Sequence, residues 1–116
     1  MKFAVLALAC FLAAAQDRPA ADASKSANQM RETRHREGLV ATRAIACFRS
    51  MDSIEENLEA MGLALDPDLV SLRRRIEAAL DATDDAIDKN DPKKANESLD
   101  RAEGLLARLS KKLGGG

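Results

Sequence analysis

Few residues in this chain combine a reactive side chain with a suggestive spacing. His35 is the only histidine, set between Arg34 and Arg36. A general base or metal ligand needs an orienting partner and a pocket, and flanking guanidinium groups lower an imidazole's affinity for cations. His35 therefore reads as a solvated side chain. Asp81, Asp84, Asp85 and Asp88 recur at spacings of three and four, which places them on one face of a helix. That face lacks the loop and central glycine of a calcium-binding hand, so it reads as an acidic surface. Cys47 falls among apolar residues at helical spacing and reads as a buried thiol. Asn96-Glu97-Ser98 matches a glycosylation acceptor, but it sits early in a predicted helix. With no clustered acid, base and nucleophile, the expectation is a protein that is not an enzyme and takes no cofactor.

The opening MKFAVLALACFLAAAQ reads as an export signal. Lys2 precedes an apolar run, and Ala13-Ala14-Ala15 offers a cleavage site before Gln16. The run from Phe3 to Ala15 is 13 residues, too short for the roughly 20 that a membrane span needs. Lipid attachment at Cys10 is disfavoured, because Ala7-Leu8-Ala9 is a poor lipidation box and apolar residues continue beyond the cysteine. The expected location is secreted or periplasmic. Cleavage after Ala15 would leave Cys47 as the one cysteine, excluding a disulfide framework within one chain and making an intermolecular disulfide through Cys47 its sharper role.

Formal net charge is −1 with no Trp or Tyr, so no global field draws the chain to nucleic acid. Charge is instead patterned. Residues 18–49 carry seven basic and three acidic side chains, Arg43 and Arg49 among them, and read as a basic arm.

The elements that would position these groups are helical. Ala, Leu, Glu, Asp, Lys and Arg dominate while aromatics are 3%. Val40, Ala44, Cys47, Met51, Ile54, Leu58, Met61 and Leu65 alternate by four and three, giving one apolar seam. Gly62 terminates that helix. Asp66-Pro67-Asp68 and Asn90-Asp91-Pro92 each supply a cap followed by proline at the first helical position. The second seam is Leu69, Leu72, Ile76, Leu80, Thr83 and Ile87, and the third is Ala95, Leu99, Ala102, Leu106, Leu109 and Leu113.

The expected fold is all-α: a small antiparallel three-helix bundle, coiled-coil-like, following a cleaved signal peptide at 1–15. Residues 16–38 read as a flexible or partly helical basic leader, with Gly38 interrupting the pattern. Helices are expected at about 39–62, 67–89 and 92–113, with a Gly tail at 114–116. Folding at both turns sets Ala44 beside Ile87 and Ala95, and Ile54 beside Ile76 and Leu106. The acidic end of helix 1 (Asp52, Glu55, Glu56, Glu59) then lies beside Arg73, Arg74 and Arg75.

Leu39, Ile45 and Phe48 stand off the first seam. Unless residues 28–38 fold back over them, they form an apolar patch beside Arg43 and Arg49, the mark of an interface. The functional expectation is an interaction module that binds a protein partner or a second copy. Its competitor is a peripheral lipid-surface or apolar-ligand protein built from amphipathic helices.

Overall fold

Two turns with their caps divide the chain where the sequence places them. Gly62 adopts φ +73°, and the amides of Gly62 and Leu63 donate to the carbonyls of Glu59 and Leu58. This paired return closes the end of the first helix and requires a left-handed residue between, which glycine adopts without steric cost. Asn90 does the same at φ 58°, with Asn90 and Asp91 donating to Ile87 and Ala86. Each following helix opens on an aspartate. Asp66 Oδ1 accepts from the Asp68 amide at 2.9 Å, and Asp91 Oδ1 accepts from the Lys94 amide at 3.1 Å. Pro67 and Pro92 occupy the first helical position, where the missing N–H costs nothing.

The computed structural model describes the backbone of residues 2–114 and the side chains of residues 24–114. The expected signal at 1–15 and the end of the Gly tail fall outside the described side chains. Three helices result: α1 (Lys2–Ala60), α2 (Pro67–Asp88) and α3 (Pro92–Lys112). They pack as a three-helix bundle, all-α as the composition implied.

One boundary differs from the sequence reading. Helix 1 does not begin near residue 39, and residues 24–38 are neither a loop nor folded back. They continue α1 through Gly38 without a break. A single glycine costs a helix about 1 kcal/mol, less than the packing on either side of it returns. Met30 and Thr33 are buried, and with Glu37 they extend the Val40–Leu58 seam at the same spacing of three and four.

The α2–α3 hairpin has its expected register. Lys112 Nζ lies 3.7 Å from Asp68 Oδ2 where Leu113 was to meet Leu69. Leu69, Leu72, Ile76 and Ala79 pack with Leu99, Ala102, Leu106 and Leu109, and Leu105 adds to the same core.

α1 does not have its expected register. The seams would set residue 45 beside Asn96, residue 46 beside Asp84 and residue 57 beside Arg73. Instead Thr33 Oγ1 accepts from Asn96 Nδ2 at 3.2 Å, and the Glu37 carboxyl meets that of Asp84. Phe48 lies under Arg73, whose guanidinium carbon is 4.7 Å from the ring centre. On these pairs α1 is displaced by nine to twelve residues, about three turns. Three turns take about 11 residues, so the same face still meets the hairpin. Met30 to Met51 form the docked stretch, while Ile54 and Leu58 are only half-buried and Met61 is 65% exposed.

Polar contacts select this register over its apolar equivalent. Thr33 and Thr83 occupy seam positions and satisfy their hydroxyls by donating to Gln29 and Ala79 carbonyls, each at 2.8 Å. Arg36 bridges to α3, donating to Asn96 Oδ1 at 3.2 Å, to Glu103 Oε1 at 3.1 Å and to Asp100. A polar group on an otherwise apolar seam commonly fixes register at some cost in stability.

Candidate interaction surface

Four of the five interface residues that the sequence singled out are exposed on α1, but not as one patch. Leu39 and Ile45 are 57% and 52% exposed, and Arg43 and Arg49 are exposed as well. At 3.6 residues per turn, Leu39 and Ile45 stand about 120° apart around the helix. Each has an arginine four residues on: Leu39 with Arg43, Ile45 with Arg49. The outer face of α1 therefore carries two apolar–basic pairs with Thr42 between them.

Phe48 belongs to the bundle instead. It is half-buried against the core, and Arg73 covers its outer face. Arg73 is fixed there by donating to Asp52 at 2.8 Å and Glu77 at 3.1 Å, which hold its guanidinium firmly in the charged form. Sequence spacing put Phe48 off the seam. A cation–π cover is what admits it to the edge of the core.

Cys47 is free, half-buried and packed against the core. It lies on the seam that meets the hairpin, so a disulfide to a second chain would need its sulfur to turn outward. His35 is exposed. Asp81, Asp84, Asp85 and Asp88 share α2. Among the described residues no three His, Cys, Asp or Glu side chains converge as a metal site.

The sequence reading missed Glu37. Burial is the main force on its carboxyl. With the hydrogen bond and negative charge of Asp84, and a smaller contribution from Asp88, it pushes the group up to about 7, against the pull of Arg34. Its Oε2 is buried and has no hydrogen-bond partner. An acid facing an acid leaves an acceptor opposite an acceptor, and a proton held between them resolves the clash. The available signal was Met30, Thr33, Glu37 and Val40, spaced three, four and three. The polar members hid it from a search for apolar residues.

A groove between the middle of α1 and the amino-terminal end of α3 is lined by Gln29, Glu32, Thr33, Arg36, Lys93 and Asn96. Arg36 there is held by α3, and the one hydroxyl, that of Thr33, donates to the Gln29 carbonyl and accepts from Asn96. No family model, curated protein or solved structure matches the chain.

Proposed function

We propose that the protein is an exported, non-enzymatic interaction module whose working surface is the outer face of α1. The exposure of Leu39 and Ile45 carries this reading. Large apolar side chains left more than half open on a continuous helix, each with an arginine one turn away, suit a partner with apolar and acidic groups. The partner is a protein or a second copy of the chain. Export rests on the pattern of residues 1–15, and its direct check is the mass of the mature amino terminus.

The double variant Leu39→Ser/Ile45→Ser removes the apolar surface without touching the core. Light scattering across a concentration series, and affinity capture from the secreted fraction, compare it with the parent. A dimer or a captured partner that the variant loses supports the module. A variant that retains the same mass and the same partners would sink it.

A lipid surface is the second reading, favoured by Met61 and Leu63, 65% and 56% exposed at the α1–α2 turn. Among the described residues no helix is long and apolar enough to cross a membrane, so contact would be peripheral. Liposome flotation separates the two: binding and helicity that rise with lipid would displace the module reading.

A further inference from the structure

We propose that α1 is a two-register element, able to slide about three turns along the α2–α3 hairpin, with the Glu37 carboxyl, whose Oε2 is buried without a partner at the docking seam, as the trigger. The seam runs at one spacing from Met30 through Leu58 of α1 to Met61 just beyond its end, 32 residues, while α2 and α3 have 22 and 21. The hairpin therefore covers only part of that seam at a time. Windows about 11 residues apart present nearly the same face, because three turns nearly restore the angular position.

The structure occupies the first window, with Thr33 at Asn96 and Glu37 at Asp84. The unused features all belong to the second. Ile54, Leu58 and Met61 are incompletely covered here and would meet Ile76, Leu72 and Leu69. Glu55, Glu56 and Glu59 have no ion pair among the described residues, nor do Arg74 and Arg75. The slide would bring the three acids level with Arg73–Arg75. Residues 61–66 connect α1 to α2, and six extended residues reach about 20 Å, enough for both windows.

Protonation selects between them because Glu37 is on the seam. Asp84 and Asp88 face it from α2, and Arg34 accompanies it on α1. The α3 acids that meet α1 in this stretch, Asp100 and Glu103, are held by Arg36. With the proton present, the two carboxyls bond and the buried Oε2 is answered. Once it is lost, two negative charges oppose each other at the docking seam. The slide carries Glu37 past Asp84 towards the Lys89–Lys94 end of the hairpin, where its charge is welcome. The first window thus holds the proton more tightly than the second. It is favoured below about pH 4.5 and gives way as pH rises through about 7.

Spin labels at Asn57→Cys and Glu97→Cys, both exposed positions, report the slide when Cys10 and Cys47 are replaced by Ala. Double electron–electron resonance should give one long distance at pH 5. At pH 8.5 a second population should appear, shorter by roughly 10–15 Å at 1.5 Å of rise per residue. Glu37→Gln should hold the long distance at both pH values, and Asp84→Asn should reduce the pH response. Identical distributions at pH 5 and 8.5 would overturn the proposal, as would a full pH response surviving in Glu37→Gln.

Discussion

Ile76→Asp and Leu106→Asp should each strip the protein of a large part of its stability. Both side chains are fully buried at the centre of the α2–α3 interface, and both lie in the part of the bundle whose register both seams and caps determine. A carboxylate placed there has no partner to offset its lost hydration, and burying an unpaired charge belongs to the most damaging class of substitution, roughly 4 kcal/mol or more. A domain of this size holds only about 5–15 kcal/mol in total. The melting temperature, read from the helical circular dichroism signal, should fall by on the order of 15–30 °C. Ala107→Asp, one position from Leu106 but exposed, should melt within a few degrees of the parent. Equal melting of all three would contradict the core assignment.

Glu37→Leu should stabilise the protein, and more at pH 8 than at pH 5. The substitution replaces a partly buried acid, whose Oε2 has no partner, by an apolar side chain of similar reach on an apolar seam. An unsatisfied buried polar group costs about 1–3 kcal/mol, and partial exposure places Glu37 towards the lower end. The sign of the pH dependence follows from the raised carboxyl. Glu37 titrates at about 7 when docked, against an ordinary value of 4.5. The stability contributed by the proton that Glu37 holds is therefore fully present below about pH 4.5 and is lost as pH rises through 7. The parent should lose melting temperature across that window, and Glu37→Leu should lose less. A flat parent profile between pH 4.5 and 7 would remove the basis for this account of Glu37.

Local chemistry explains which parts of the fold could be read from the residues. Asp66-Pro67 and Asp91-Pro92 state where helices begin, and Gly62 and Asn90 state where they end, because each acts through its own backbone. The α2–α3 register follows from one short turn that leaves little freedom to slide. α1 is different. Its seam is longer than the surface it meets, and an 11-residue displacement hardly alters the face, so apolar spacing alone cannot place it. Thr33, Arg36 and Asn96 make the choice, and contacts between polar side chains distant in sequence have no periodic signature. Phe48 was misread for a related reason: its cover, Arg73, comes from another helix. Leu39 and Ile45, which depend only on their place on one helix, stand exposed where the spacing put them.

Polar anchors dock α1 through Met30 to Met51 rather than through the more apolar stretch that follows. Nuclear Overhauser contacts at pH 5 test it directly. Cross-peaks are expected between Thr33 and the Asn96 side-chain amide, with none between Ala44 and Ala95 or Ile54 and Ile76. Cross-peaks from Ala44 to Ala95 and Ile54 to Ile76, with Thr33 and Asn96 silent, would show that the apolar seam, and not the polar anchors, sets the register.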